Sequence, residues 1–341
     1  MHIRAPSAGA VVKVLWTHNF NPTKTSAGVF MFKAADGLRS AGVDVDLQYL
    51  GNLRSPTNLL KARRQIENRA EGFDLVHAQF GSACSLVTAA VRTCPKIVSI
   101  RGNDWNLHKE TFGFLAGHTR LARLMTWHSL PKYDLCITVS RRMETDLRKH
   151  FGRMSFAPLP APIDLEMFKP RKKREARDAL GFPDNSERWV LFNSLRLDDP
   201  VKRYPLAARA VELARRRMSN IRLRVAHDIP YEKMPLFVAA CDLILCTSET
   251  EGWPNSVKEA LACDLPFVST DVSDLGRIAA VEPSCRIVPA DPAALADAIC
   301  ETLDSDPAAD LRRHVVPMGL RETSETMLAL YRRVLGKAGV A

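Results

Sequence analysis

Short β-branched segments alternate with longer helical segments along nearly the whole chain, and this alternation constrains the fold more than any other feature. A strand followed by a helix and another strand builds a parallel sheet covered by helices. In the first half, a helix is predicted over residues 30–40. The strands predicted there span residues 11–16, 43–48, 74–77, 96–100 and 134–139.

A proline-rich segment at residues 157–170 interrupts the alternation. Its four prolines cannot lie inside a helix, so the segment is predicted to link two domains. The alternation then restarts, with helices predicted at 206–217, 293–303 and 320–335. The strands of this half are predicted at 189–194, 221–226, 243–247, 266–270 and 286–289.

The pattern predicts an α/β protein with two doubly wound domains. The expected boundaries are 1–160 for the N-terminal domain and 161–319 for the C-terminal domain, with a final helix at 320–341 packing back on the first. Ligands of such sheets bind at the carboxyl ends of the strands. We therefore expect the functional site in a cleft between the domains.

The most specific stretch is residues 247–274, TSETEGWPNSVKEALACDLPFVSTDVSD. It runs from a buried strand through a loop into a helix that starts near Asn255 or Ser256, and then into another strand. Free N–H groups at a helix start favour a phosphate. Glu251 and Glu259 suit the binding of sugar and ribose hydroxyls, although each alone is better explained as an ordinary glutamate at or on a helix.

These 28 residues taken together resemble the signature of the retaining family 4 glycosyltransferases, which have the GT-B fold of two Rossmann-like domains. The resemblance implies that Glu251 contacts the donor sugar and Glu259 the nucleotide ribose. It also implies donor binding near the diphosphate by three residues at the helix start, Asn255, Ser256 and Val257.

A second stretch, residues 189–202 (WVLFNSLRLDDPVK), agrees with the first. It places Arg196 and Lys202 in a polar loop after a buried strand. Two cations at the carboxyl end of a strand can stabilise charge on a leaving diphosphate. The pair resembles the arginine-plus-lysine clamp of the family, which implies a catalytic role for both residues.

The N-terminal half carries weaker matches. Gly28 lies where the family has its glycine-rich loop, which implies donor binding there. Residues 100–104 (IRGND) stand where many relatives have His-Gly-x-Asp, so Arg101 replaces the sugar-contacting histidine. Arg101 and Asp104 are expected on the acceptor or sugar side, bidentate for the arginine if an anion is near. His77 matches a family position as well, but a strand-end histidine is more often structural.

Other departures from the family fall at turns. Ala161-Pro162 replaces an Asn-Gly pair, and Ala-His-Asp at 226–228 stands where Gly-Asp-Gly is usual. Asp264 occupies the position of a usual glycine after the signature helix.

The charge balance suggests anionic partners. The formal net charge is +10, and basic residues cluster at 141–153 and 169–177. Such an excess attracts an anionic membrane surface or phosphorylated substrates, or simply forms solvated faces. Nucleic acid is disfavoured because no recognised reading module accompanies the charge.

Compartment and metal use are also predicted. Eight cysteines without a CxxC pair suit a reducing cytoplasm, and no apolar run reaches the roughly 18 to 20 residues that cross a bilayer. We expect a cytoplasmic protein that can associate with the inner membrane face. The Asp-x-Asp at residues 44–46 lies in a predicted strand, so no metal and no cofactor beyond the nucleotide sugar are expected.

The hypothesis is a metal-independent glycosyltransferase. It would move a sugar from a nucleotide-diphosphate sugar to a glycan, lipid-linked or small-molecule acceptor with retention of configuration. One alternative is a nucleotide-sugar epimerase on the same fold, which would act without an acceptor. Another is a non-catalytic basic protein that binds polyanions or membranes and ignores nucleotide sugars.

Overall fold

The computed structural model of the protein describes residues 11–21, 28–106, 114–182, 186–305 and 310–338. These residues form two compact units. The N-terminal unit extends to Pro162 and includes the last helix from Leu320 onward, and the C-terminal unit is Ile163–Gly319. The first boundary therefore lies at residue 162, against the expected 160.

The N-terminal unit is built on a six-stranded parallel sheet with the order β2-β1-β3-β4-β5-β6. Its strands are β1 (Lys13–His18), β2 (Asp44–Tyr49), β3 (Leu75–Ala78), β4 (Lys96–Ile100), β5 (Leu135–Thr138) and β6 (Phe156–Pro158). Its helices are α1 (Val29–Ser40), α2 (Pro56–Ala70), α3 (Ser82–Thr88), α4 (Phe114–Ser129), α5 (Arg141–His150) and α12 (Leu320–Ala338). Strand and helix residues such as Trp16, Leu38 and Tyr331 share one core, so burial of apolar area holds α1 and α12 on the sheet.

Strand β6 was not predicted, because residues 157 and 158 belong to the proline-rich segment expected to be a linker. The strand pairs with β5 alone and forms the edge of the sheet. An edge strand needs hydrogen bonds on one side only, so it tolerates Pro158.

The C-terminal unit has a five-stranded parallel sheet with the order β11-β10-β9-β7-β8. Its strands are β7 (Arg188–Asn193), β8 (Ile221–Ala226), β9 (Leu243–Cys246), β10 (Phe267–Ser269) and β11 (Arg286–Ile287). Its helices are α6 (Lys173–Ala179), α7 (Tyr204–Arg215), α8 (Met234–Ala239), α9 (Asn255–Ala262), α10 (Leu275–Ala279) and α11 (Pro292–Asp304). Small buried residues of α7, Ala207, Ala210 and Ala214, bring this helix close to the sheet and to α11.

Both sheets have a topological switch point. β1 lies between β2 and β3, and β7 lies between β8 and β9. In each sheet, two neighbouring strands, β1 and β3 in the first and β7 and β9 in the second, continue toward opposite edges of the sheet. This divergence opens a crevice at the carboxyl ends of the two strands. In the C-terminal unit the crevice lies between the loop after β7 and the loop after β9, and these loops carry the predicted donor residues.

All eight cysteines are buried free thiols. Burial raises the pKa of the Cys94 and Cys285 thiols to about 11 and that of Cys84 and Cys263 to about 12. These four thiols stay neutral near pH 7, so they pack as small apolar groups rather than acting as nucleophiles.

Candidate active site

The loops after β7 and β9 are joined by hydrogen bonds at the switch point of the C-terminal unit. The Thr247 hydroxyl donates to the carbonyl oxygen of Lys202 at 2.8 Å, and the N–H of Glu249 donates to the carbonyl oxygen of Val201 at 2.8 Å. This pairing fixes the backbone of Lys202 beside the loop that carries Glu251.

Lys202 and Glu251 form an ion pair there. Nζ of Lys202 donates to Oε1 of Glu251 at 2.5 Å, and the Ser248 hydroxyl donates to the same oxygen at 2.8 Å. The two side chains keep 28% and 16% of their surface exposed, so a ligand can reach them. Burial is the largest single influence and lowers the pKa of Lys202, but the charge and hydrogen bond of Glu251, together with the charges of Cys246 and Asp199, outweigh burial and raise the pKa. The ammonium is therefore charged at neutral pH and fixed in place.

Arg203 holds the same two loops together and was not singled out from the sequence. Its Nε donates to the carbonyl oxygen of Thr247 at 2.8 Å, and its Nη2 donates to that of Ser248 at 2.9 Å. Its backbone has φ of 54°, a left-handed conformation that costs energy in a residue other than glycine and is often found at functional sites. The only sequence signal was a second cation next to Lys202.

The start of α9 offers free backbone donors. The helix has no side-chain cap and no acidic residue in its first turn. Within the described chain, the first N–H groups bonded to the preceding turn are those of Val257 and Lys258, which share the carbonyl oxygen of Pro254 at 3.1 Å. Asn255 is exposed and Ser256 half-buried, whereas Val257 is fully buried. The N–H groups of Asn255 and Ser256, at the positive end of the helix dipole, can therefore meet a phosphate.

Lys258 adds a positive charge behind this helix start. It is 1% exposed, donates to Oδ1 of Asn255 at 3.2 Å and lies 5.3 Å from the ring centre of Trp253. A lysine on a helix usually faces water, so this burial is unusual. Its neighbour Glu259 is half-buried, and its charge adds to burial in raising the pKa of Tyr231.

Arg196 forms its ion pair with Asp198. Its Nε and Nη2 bond the two carboxylate oxygens of Asp198 at 3.0 and 2.9 Å, and its side chain is 71% exposed. An exposed pair of this kind contributes little to stability. The structure therefore brings together Lys202 and Glu251, while the role of Arg196 in a clamp stays a prediction.

Gly28 begins α1 in the N-terminal unit. Its φ of 82° is left-handed, and a Cβ there would lie 2.7 Å from Cγ of Phe20. Both the backbone and the space therefore require glycine. Residues 22–27 of the predicted glycine-rich loop lie outside the described chain.

His77 is fully buried inside the N-terminal unit. Its Nδ1 bonds the hydroxyl of Tyr331 at 2.8 Å and its Nε2 bonds that of Ser99 at 2.9 Å. The Trp16 indole N–H donates to the same tyrosine oxygen at 2.9 Å. Burial, followed by the charge of Arg101, lowers the pKa of His77 well below 6.5, so the ring is neutral. These contacts place the ring inside the packed unit rather than on its surface.

Asp104 is also fully buried. Its Oδ1 accepts from the N–H groups of Arg101 at 3.0 Å and Gly102 at 2.7 Å, and its Oδ2 accepts from that of Gly81 at 2.8 Å. Burial raises the pKa of the Asp104 carboxyl, and these backbone hydrogen bonds oppose the rise. Both oxygens are occupied, so the side chain ties together the loops after β3 and β4.

Arg101 sits between these buried residues and bonds Gln79. Its Nε donates to the carbonyl oxygen of Gln79 at 2.9 Å and its Nη2 donates to Oε1 of the same residue at 2.6 Å. Its guanidinium carbon lies 4.8 Å from the ring centre of Phe30. Burial lowers the pKa of Arg101 to about 10, opposed by the charge of Asp104, so it stays protonated at neutral pH.

The Asp-x-Asp segment lies on β2, as predicted. Asp44 and Asp46 flank the buried Val45, and Asp46 forms an ion pair with Arg69. In the part of the chain that the structure describes, no group of three or more His, Cys, Asp or Glu side chains is arranged to hold a metal ion.

Two family models match the chain. The model described as Glycosyltransferase Family 4 matches residues 14–166, and the model described as Glycosyl transferases group 1 matches residues 205–305. The first segment contains Gly28, His77, Arg101 and Asp104, and the second contains Glu251, the start of α9 and Glu259. Arg196 and Lys202 lie between the matched segments.

One relative is similar to the chain in sequence. The provisionally named teichuronic acid biosynthesis glycosyltransferase TuaC of Bacillus subtilis is 25% identical over 243 residues, which are 66% of this chain and 60% of the relative. The chain thus spans about three fifths of the length of that relative.

Solved structures show the same fold. Sucrose-phosphate synthase from Thermosynechococcus elongatus superposes with a TM-score of 0.78 at 18% identity, covering 96% of this chain and 100% of the other. Anabaena HepE in complex with UDP superposes with a TM-score of 0.66 at 16% identity, covering 94% and 99%. With two Rossmann-like units and both family matches, the chain belongs to the family 4 glycosyltransferases of the GT-B fold.

Proposed function

We propose that the protein is a glycosyltransferase that moves a sugar from a nucleotide-diphosphate sugar to a glycan, lipid-linked or small-molecule acceptor. The observation that carries the proposal is the ion pair of Lys202 and Glu251. Glu251 lies on the loop that leads into the uncapped start of α9. A fixed ammonium and free helix N–H groups suit a diphosphate, and a carboxylate beside them suits sugar hydroxyls.

Each donor group has a proposed partner. The diphosphate binds Lys202 and the N–H groups of Asn255 and Ser256, and Arg196 swings from Asp198 to join them. Glu251 accepts from hydroxyls of the donor sugar, and Glu259 accepts from the ribose. Because HepE was crystallised with UDP, uridine nucleotides are the first donors to test. The name of TuaC places that relative in polysaccharide biosynthesis, which supports a glycan acceptor here.

The reaction proceeds with retention and without a metal ion. The acceptor oxygen attacks the anomeric carbon from the face that the diphosphate leaves, the bond from that carbon to the phosphate oxygen breaks, and the leaving phosphate takes the acceptor proton. Lys202 stabilises the charge that develops on this phosphate. Glu251 already accepts from Lys202 and Ser248, which suits it to orient the sugar rather than to attack it.

Product analysis tests this function. The purified protein is incubated with a panel of nucleotide sugars and candidate acceptors, with and without EDTA, and the product is examined by NMR. We expect release of nucleoside diphosphate, a glycoside with the anomeric configuration of the donor and no effect of EDTA. An epimerised donor formed without acceptor would favour the epimerase instead, and loss of activity in EDTA would overturn metal independence.

A lipid-linked acceptor is favoured by one surface of α4. Leu121, Leu124 and Trp127 lie three residues apart on this helix and are 49%, 52% and 38% exposed, and Arg120 next to them is exposed too. Exposed leucines and a tryptophan beside a cation suit the interface of an anionic membrane. Among the described helices, none is both long and apolar enough to cross a bilayer.

Two cations of the second basic cluster, residues 169–177, are paired with a carboxylate of their own unit. Arg177 is 1% exposed and bonds Asp242 at 3.2 Å, and Lys173 bonds the same carboxylate at 2.5 Å.

Sedimentation with phosphatidylglycerol vesicles tests the α4 surface. Leu121→Ser with Leu124→Ser is expected to lower binding, whereas Leu60→Ser, a change at a leucine 50% exposed on α2, is the matched control and is expected to leave binding unchanged.

A further inference from the structure

The guanidinium of Arg101 has an unused pair of donors. Gln79 occupies one edge of the group, formed by Nε and Nη2. The other edge, formed by Nη1 and Nη2, has the geometry that binds a carboxylate or phosphate through two parallel hydrogen bonds. Among the described residues, no carboxylate is bonded to this guanidinium. Asp104, whose charge acts on it, spends both oxygens on backbone N–H groups.

Gln79 has an unused donor at the same place. Its side chain is fully buried, and within the described chain its Nε2 has no hydrogen-bond partner. The amide orientation is fixed, because its oxygen must face the guanidinium. Nε2 shares a carbon with that oxygen, so it lies near the guanidinium of Arg101. A buried amide left without a partner costs free energy, and a ligand that accepts from it removes this cost.

Arg101 also lines a narrow recess of the N-terminal unit. Ser99, Thr323, Ser324 and Trp16 line it as well. The hydroxyls of Thr323 and Ser324 both donate to the carbonyl oxygen of Leu320. The recess is small enough to admit a polar group rather than a whole sugar ring, and Arg101 is the cation in its wall.

We propose that Arg101 and Gln79 bind the anionic group of a sugar substrate, a carboxylate or a phosphate on the sugar. The inference rests on the proposed function, since it names the class of sugar that this transferase handles. The guanidinium edge donates two hydrogen bonds to the anion, and Nε2 of Gln79 donates a third. A neutral sugar leaves these donors unsatisfied, so the site discriminates against it.

Ligand-observed NMR titration tests the proposal with methyl glucuronide, glucose 6-phosphate and methyl glucoside. Wild-type protein is expected to bind at least one of the two anionic probes at least tenfold more tightly than the glucoside. Preference for the glucuronide identifies a carboxylate, and preference for glucose 6-phosphate identifies a phosphate. Arg101→Gln is expected to bind all three probes equally.

Two further variants keep the test decisive. Arg101→Lys retains the charge but loses the two-donor edge, so its preference is expected to fall by severalfold. Arg92→Gln removes an exposed arginine of the same unit and is expected to behave as wild type. A wild type that does not distinguish the probes, or a preference that persists in folded Arg101→Gln, overturns the proposal. UDP binding is measured in parallel. A protein that binds UDP but does not prefer an anionic probe overturns this proposal alone, whereas a wild type that does not bind UDP counts against the proposed function.

Discussion

Lys202 and Glu251 depend on each other at the scale of single residues. The lysine keeps its charge in a largely enclosed place because the glutamate is bonded to it, and the glutamate keeps its position because Lys202 and Ser248 both donate to one of its oxygens. Removal of either partner leaves a partly buried charge without its counterion, which costs more than the pair contributes.

Substitution of Lys202 tests its catalytic role. Lys202→Ala is expected to lower turnover about 10²- to 10³-fold, because it removes one group that stabilises the leaving diphosphate. Steady-state kinetics with the identified donor measure the effect, and thermal unfolding checks that the variant is folded. Lys172→Ala, a change at a lysine with 82% of its side chain exposed, should retain full turnover. A folded Lys202→Ala with wild-type turnover would remove this residue from the mechanism.

His77 makes stability depend on pH. Its pKa in the folded protein lies well below 6.5, its value in an unfolded chain, so protons bind the unfolded state first as the pH falls. The stability is complete above pH 6.5, and this residue alone is expected to remove up to about 1.4 kcal/mol of the free energy of unfolding by pH 5.5. Denaturant unfolding of His77→Gln should show a shallower fall. The same change at the exposed His128 should leave the fall unchanged, and equal slopes in wild type and His77→Gln would refute the assignment.

Local sequence pattern located some residues of the candidate site and gave no sign of others, for a physical reason. Glu251, Lys202 and the start of α9 follow predicted strands, so a short local pattern locates them. The contacts of Arg203 and Lys258 depend on packing, since Arg203 bonds carbonyl groups more than 40 residues away and Lys258 lies under Trp253. A local sequence pattern could not show that tertiary contacts hold these two cations in place instead of leaving them in solvent.

At the scale of elements, strands were predicted well where apolar runs were bounded by turns. β4 and β8 have the predicted limits, while the three residues of β6 were hidden in a proline-rich segment. Two turns show how this chain replaces glycine. Asp228 and Asp264 stand where the family usually has glycine, and both adopt left-handed φ angles, 57° and 58°. Aspartate tolerates this conformation better than most residues.

Helix α12 is bound to the N-terminal sheet by Tyr331 as well as by apolar packing. Tyr331→Phe removes the oxygen that accepts from Trp16 and bonds His77, which leaves buried polar groups without a partner. The free energy of unfolding is expected to fall by about 1–3 kcal/mol. Denaturant unfolding measures it, with Tyr49→Phe, at a tyrosine 40% exposed, as the matched control. A loss no larger than that of the control would mean that these hydrogen bonds add nothing to stability.

At the scale of the whole molecule, the alternation of strands and helices was enough to predict two parallel-sheet units. The strand orders could not be deduced from it, because the choice of the strand beside β1 or β7 depends on long-range pairing. Those orders put the switch point of the C-terminal unit between β7 and β9, where the loops with Lys202 and Glu251 meet. The link between fold and proposed activity is therefore the switch point, which the signature alone did not reveal.

The most direct test of the account is nucleotide binding, measured by thermal unfolding with UDP, GDP, ADP, dTDP and CMP on wild type, Lys202→Ala and Lys172→Ala. A ligand at about 100 times its dissociation constant adds about 2.7 kcal/mol, a shift of a few degrees. We expect one nucleoside diphosphate to stabilise wild type and Lys172→Ala selectively, with or without EDTA, and Lys202→Ala much less. No shift with any nucleotide, or an equal shift in all three proteins, would contradict a donor site at Lys202 and Glu251.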